Sequence, residues 1–156
     1  MIFGEECDEN MDLFFNPKRA DDRKVKLQTF DPKEAVDWKR NNINISEFCK
    51  KELLRFSHSN NVRSIPNVID GLKPSQRKVL FAMLKHGRKE EIKVAQAAAF
   101  TANITGYHHG EHSLVQTIVN MAQRWVGANN IIYLEPLGQF GDISNKRDVH
   151  SAERYI

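Results

Sequence analysis

The sequence predicts a mainly α fold with a small β wing. Three observations carry that reading: apolar stripes at helical spacing over 74–87 and 111–125, an alanine-rich run between them, and a closing segment of short apolar and glycine-bearing pieces. The chain has 156 residues, enough for one domain with a real core plus an appendage. It is 40% hydrophobic and 28% charged, which excludes a disordered or fibrous chain and fits a globular one. No apolar run reaches the roughly 18 residues a membrane span needs. The opening MIFGEECDEN lacks the basic-then-apolar order of a signal peptide. Cys7 and Cys49 stand in unrelated contexts, implying neither a disulfide nor a metal site and fitting a reducing compartment.

The net charge of +3 hides an asymmetry. Residues 1–12 carry Glu5, Glu6, Asp8, Glu9 and Asp12 and no basic side chain, so the remainder holds 23 basic against 15 acidic residues. That excess favours a polyanionic partner, although charge alone does not separate nucleic acid from a membrane surface.

Residues 1–30 read as a connecting arm, acidic then basic, with little apolar periodicity. Asp31-Pro32-Lys33-Glu34 carries the signals of a helix start: a capping Asp, a proline for the first turn and a Glu to close the box. A second helix is expected near Ser46, with Ile45, Cys49, Leu53 and Phe56 on one stripe. From Arg63 an extended lead runs into a helix from Pro74 to Gly87, with Val79, Leu80, Met83 and Leu84 buried and Gln76, Arg77 and Lys85 off the stripe. Residues 93–103 form the next helix, its alanines allowing close packing, and ITGYHHG is a turn. Residues 111–125 form the last, with Leu114, Ile118, Met121, Ala122 and Trp125 inward. The outer face of that helix carries His112, Gln116, Asn120 and Arg124 every four residues, with Ser113, Thr117 and Gln123 beside them. After Glu111 it bears no carboxylate, as a surface lying against phosphates should. NNIIYLEPLGQFGD then reads as a strand-turn-strand wing. The order implies a winged helix-turn-helix (CAP-like) domain preceded by a linker arm.

Three features stand apart from packing: Arg63, the turn Tyr107-His108-His109-Gly110, and Arg154-Tyr155. A tyrosine can attack a phosphodiester and store the bond energy as a phosphotyrosyl link. A free phenol, with a pKa of about 10, is ionised in roughly one molecule in a thousand at neutral pH, so a cation or general base must assist. Arg154 is adjacent and always protonated. The histidines can move protons near neutrality, and the third helix's N-terminus offers backbone donors to phosphate. Taken singly, each has a plain structural alternative: a surface Arg-Tyr pair, a structural His turn, a salt-bridging arginine. No Cys or carboxylate spacing supports zinc or any other metal site.

RSIPNVIDGLKPSQRKVLFAMLK, KVAQAAA, YHHGEHSLVQTIVNMAQRWVGANN, LEPLGQFG and SAERYI occur in one order with consistent spacing. Together they closely resemble the DNA cleavage and rejoining core of type IIA topoisomerases, over about residues 57–156. YHHGE and PLGQFG look like the eukaryotic kind, topoisomerase II. LFFNPKRADDRKVKL (13–27) resembles, more weakly, the segment that follows the family's metal-binding TOPRIM domain.

The resemblance implies an ATP-dependent enzyme that cuts both DNA strands through a 5′-phosphotyrosyl intermediate, passes a second duplex and reseals, relaxing or decatenating DNA. Residues 1–30 would be a tail following a TOPRIM domain, 31–57 linking helices, and 58–156 the cleavage domain, with the family's tower and C-gate lying beyond this sequence. Tyr155 would be the nucleophile, with Arg154, Arg63 and His109 around the scissile phosphate and His108 as a helper. Lys73, Arg77, Lys78 and Lys93 match positions that hold the DNA backbone. His112 and Gln116 match positions that neighbour the quinolone pocket of bacterial relatives, and Asn120 and Arg124 continue the DNA-facing surface. Mg²⁺ and ATP would both bind outside this chain. The implied partners are double-stranded DNA and a second copy of the full-length protein, with no membrane, in the nucleus. Two departures stand out: 28–45 is short for the family, and 142–153 lacks the glycine-rich loop common before the tyrosine. A non-catalytic winged-helix DNA-binding module is the alternative.

Overall fold

The computed structural model describes residues 1–87, 90–123, 125, 131–144 and 155–156. These fold into two units, Met1–Ile65 and Pro66–Ile156. Both are helical, and no strand occurs among the described residues, which contain isolated β-bridges instead. No helix among them is long and apolar enough to cross a membrane.

In the first unit, the stretch expected as an arm is folded. Helix α1 (Cys7–Phe15) and helix α2 (Ala20–Gln28) are joined by a 3-10 turn at Pro17–Arg19, which Asn16 caps by accepting from the Lys18 N–H at 2.9 Å. Local polar pairing sustains these weakly amphipathic helices: Arg19 bridges Asp12 and Asp22, and Arg23 donates to the Leu13 and Asn16 carbonyls. Conversely, the helix expected at Asp31 is absent. Asp31 accepts from the Lys33 N–H and closes a turn at Glu34, and 30–44 then runs without regular structure. Capping residues nucleate nothing without an apolar face behind them, and Val36 is the one buried residue of 31–42.

The second expected helix forms, with Asn44 as its cap, accepting from the Ser46 N–H at 2.8 Å. It comprises α3 (Ile45–Phe48), a π turn (Cys49–Leu53) and α4 (Leu54–Ser64). The wider π turn rotates the stripe: Ser46, Cys49 and Leu54 are buried, and Phe56, expected inward, is 62% exposed. Cys7 and Cys49 are buried free thiols. Cys7 Sγ accepts from the Gly4 N–H and the Ser46 hydroxyl.

The second unit is built on α5 (Pro74–His86), α6 (Val94–Thr105) and α7 (Glu111–Ala122), which pack on one another pairwise. Pro74 opens α5, and the Gln76 side chain reaches back to the Lys73 N–H at 2.8 Å. The core gathers Val79, Val94, Ala97, Ala98, Leu114, Ile118, Val119, Met121 and Ala122, closed by Leu134 and Phe140 from beyond α7. The alanines of α6 bring three helices close, and buried Thr101 satisfies its hydroxyl on the Ala97 carbonyl. Two side chains depart from expectation. Leu84 is 75% exposed, Ala82 taking the inward position. Gln123, assigned to the outer face, is 4% exposed because α7 ends at Ala122, and its amide donates to the Phe140 carbonyl at 3.1 Å.

The wing is not a strand pair among the described residues. Residues 131–140 fold back along the end of α7, with the Tyr133 N–H on the Met121 carbonyl. They meet the chain's last residues through a single bridge, Leu137 to Tyr155. Part of the expected wing (129–130) lies outside the described residues.

Before α5, the chain turns through Asn67–Leu72. The Asn67 and Asp70 carboxamide and carboxylate accept from the Ile69 and Leu72 N–H groups, and Arg77 on α5 grips Asp70 with two nitrogens at 2.8 Å. The Asp70 carboxyl is held below its ordinary 3.8, chiefly by the Leu72 N–H and then by Arg77. Its contribution to stability is therefore complete above that value and lost as pH falls through the lowered one. Asp70→Asn should flatten the acid limb of the stability profile below about pH 4, measured by urea unfolding across pH. Leu114→Ala, at the centre of the core, should cost about 2–5 kcal/mol by the same unfolding at neutral pH.

Candidate active site

Tyr155 is held by backbone. Its N–H donates to the Leu137 carbonyl at 3.0 Å, and its carbonyl accepts from the Leu137 N–H at 2.9 Å. Ile156 exchanges a second pair of bonds with Ile92, both at 3.0 Å, which sets Lys93 opposite Tyr155 in an antiparallel bridge. Ile92 and Ile156 lean on the buried core, so the clip is anchored to the three-helix body. The Tyr155 side chain is half-buried, and the Lys93 Nζ lies 5.6 Å from its ring centroid. A cation beside a phenol on an anchored backbone is placed to favour negative charge developing there.

The histidine turn is shaped by glycines at both ends. Gly106 ends α6 at φ 57°, and Gly110 precedes α7 at φ 90°, conformations that side chains disfavour. Tyr107 is the turn's inward anchor: it packs against the core and its hydroxyl lies 3.0 Å from that of Ser113 on α7. His109 stands edge-on to Tyr107 at 5.4 Å and tilted against His108 at 4.5 Å, both imidazoles being exposed. His108 Nδ1 is 3.3 Å from the Gly106 carbonyl. The pair is thus presented to solvent at the head of α7, where proton transfer to or from an outside group is open to it.

The outer face of α7 presents His112 and Gln116 exposed, with the Gln116 amide donating to Asn120 at 3.0 Å. Lys73 is exposed at the start of α5. Two cations of α5, Arg77 and Lys78, are engaged within the fold. Arg77 holds Asp70, and Lys78 donates to the Thr105 carbonyl at 3.1 Å and sits 5.6 Å from the Tyr107 ring centroid. Arg63 belongs to the first unit, exposed on the last turn of α4 and donating to Asn60. Arg154 and Arg124 lie outside the described residues.

Three elements of this site escaped the sequence reading: the Tyr107–Ser113 contact, Leu137 as a backbone partner of Tyr155, and the placement of Lys93 on the Tyr155 ring. The first had a signal, a tyrosine and a serine straddling a helix start; single bridges between distant segments have none. Among the described residues no group of three or more His, Cys, Asp or Glu side chains converges that could hold a metal ion, so they do not fit a Mg²⁺ centre.

Comparison with known proteins identifies the family. The DNA gyrase/topoisomerase IV family matches residues 63–156, and the family described as the C-terminal associated domain of TOPRIM matches residues 2–61. The chain is 52% identical over 153 residues to DNA topoisomerase 2 of Candida albicans, covering 98% of this chain and 10% of that protein. It is 42% identical over 165 residues to DNA topoisomerase 2-alpha of Mus musculus, covering 98% and 11%. The crystal structure of the Plasmodium falciparum topoisomerase II DNA-binding, cleavage and re-ligation domain superposes with a TM-score of 0.73 at 43% identity, over 99% of this chain and 22% of that one. The chain spans about a tenth of the length of these curated relatives. Matched over most of its length by the gyrase/topoisomerase IV family and over nearly all of it by eukaryotic relatives, the chain belongs to the type II DNA topoisomerase family, in its eukaryotic topoisomerase II branch.

Proposed function

We propose that this chain is the DNA-gripping and cleaving part of an ATP-dependent type II topoisomerase, with Tyr155 as its nucleophile. The observation that carries the reading is the anchored, half-buried Tyr155 beside Lys93, in a chain of this family. The Tyr155 oxygen attacks a backbone phosphorus, a 5′-phosphotyrosyl bond forms, and the 3′-oxygen leaves, taking up the proton that the phenol gives up. The reverse transesterification reseals the strand, so no net hydrolysis occurs. Arg154, Arg63 and His109 stabilise charge or move protons, and His108 assists. The row of His112, Gln116 and Asn120, with Arg124, faces the duplex, and Lys73, Arg77, Lys78 and Lys93 add cations along the DNA backbone.

On this reading, residues 58–156 are a winged-helix cleavage domain, supported by the order of α5, α6 and α7 and by the return of 131–140 onto α7. Residues 1–30 are the tail of a TOPRIM domain and 31–57 the linking segment. Mg²⁺ and ATP, which the family's full-length enzymes use, are bound outside this chain. The full-length protein is a nuclear homodimer, each protomer cutting one strand of double-stranded DNA. The 156-residue chain alone binds DNA without cleaving it.

Denaturing the full-length protein during turnover should leave protein covalently on DNA 5′ ends. Tyr155→Phe should abolish that adduct while retaining DNA binding, and an adduct that survives the change would place the nucleophile elsewhere. Arg154→Ala and His109→Ala should slow cleavage by roughly a hundredfold with a much smaller loss of DNA affinity. Equal losses in both quantities would make them binding residues.

A further inference from the structure

We infer that Lys93 is a positioning residue for the nucleophile, acting on the Tyr155 ring rather than only on DNA phosphate. The inference rests on the reading of Tyr155 as the nucleophile. Lys93 is the residue before α6, in extended conformation at φ −63° and ψ 137°, and it lies directly opposite Tyr155 in the antiparallel bridge. Directly opposed residues in such a pair put their side chains on the same face, as neighbours. Leu137 opposes Tyr155 from the other side, so Lys93, Tyr155 and Leu137 form one row across three segments. The Ile92–Ile156 bonds fix the Lys93 backbone against that of Tyr155, and both isoleucines pack on the core. The ammonium at 5.6 Å from the ring centroid is within the reach, about 6 Å, at which a cation is drawn to an aromatic face.

This arrangement answers a need of the reaction. Backbone bonds fix where Tyr155 stands but leave its ring free to turn about its side-chain bonds. In-line attack requires the phenolic oxygen to be aimed as well as near. A cation on the ring, carried by a backbone that cannot shift relative to it, narrows the directions the phenol samples. Lysine and arginine can both do this, and a neutral side chain cannot.

The test uses the full-length protein, measuring the single-turnover rate of adduct formation at saturating DNA separately from the DNA dissociation constant. Lys93→Gln should slow adduct formation about tenfold at saturation and weaken DNA binding less than about threefold. Lys93→Arg should restore the rate to within about threefold of the parent. Lys85→Gln removes an equal charge from a lysine placed over Phe81, and should change neither quantity. Lys93→Met, which keeps the aliphatic stem, provides the same comparison should the glutamine variant melt at a lower temperature. Weakened DNA binding with an unchanged saturated rate would overturn the inference and leave Lys93 a phosphate anchor. An unchanged rate and affinity would overturn it too. If Tyr155→Phe retains the adduct, the nucleophile assignment falls; if that variant loses it while Lys93→Gln keeps the parent rate, only the positioning role falls.

Discussion

Four backbone hydrogen bonds join Tyr155 and Ile156 to Leu137 and Ile92, and the active-site reading depends on them. Each is worth about 1 kcal/mol net, so the clip is modest as a stabilising device. Its value is geometric. Residues far apart in sequence, one leading α6 and one beyond the end of α7, fix the backbone of a single tyrosine against the three-helix body. The anchorage continues inward through Ile92 and Ile156 to a core whose centre, Leu114, Ile118 and Met121 on α7, is fully buried. The same α7 presents His112 and Gln116 outward and begins at the histidine turn. One helix thereby supplies the core, the exposed polar face and the base of the turn.

The basic residues divide by what they already hold. Arg77 and Lys78 are engaged largely within the fold, on Asp70 and on the end of α6, whereas Lys73 and the exposed face of α7 look outward. A cation pinned in place costs less entropy when a phosphate arrives than one that must be ordered on binding. Internal pairing and DNA contact are therefore compatible roles for Arg77. Asp70 in turn shapes the loop ahead of α5, which presents Val68 and Ile69 almost fully to solvent.

The three helices of the second unit were legible because each buries a stripe that recurs at 3.6 residues, and glycine caps at Gly87 and Gly106 mark two of their ends. Reading failed where local signals lacked a tertiary partner or gained an unforeseen one. The capping box at Asp31 had no apolar face to commit, so it closed only a turn. The π turn after Phe48 moved Phe56 outward by rotating the helix face. The end of α7 at Ala122 turned Gln123 inward to a carbonyl that only the folded chain supplies. At the site, the chemical types at 107–110 and 155 were visible in sequence. The clip was not, since bridges between 92–93, 137 and 155–156 leave no periodic trace. Polar helices α1 and α2 were missed for the same reason: their support is a set of ion pairs and carbonyl contacts rather than a stripe.

The most direct test of the account is to identify the tyrosine that carries DNA. The chain holds three, Tyr107, Tyr133 and Tyr155, of which Tyr107 is turned to Ser113 and Tyr133 is tied by its backbone to α7. The trapped covalent complex of the full-length protein, digested with nuclease and trypsin and read by mass spectrometry, should show the nucleotide remnant on the peptide that begins at Tyr155, directly after Arg154. A remnant on Tyr107, on Tyr133 or on a tyrosine outside this chain would contradict it.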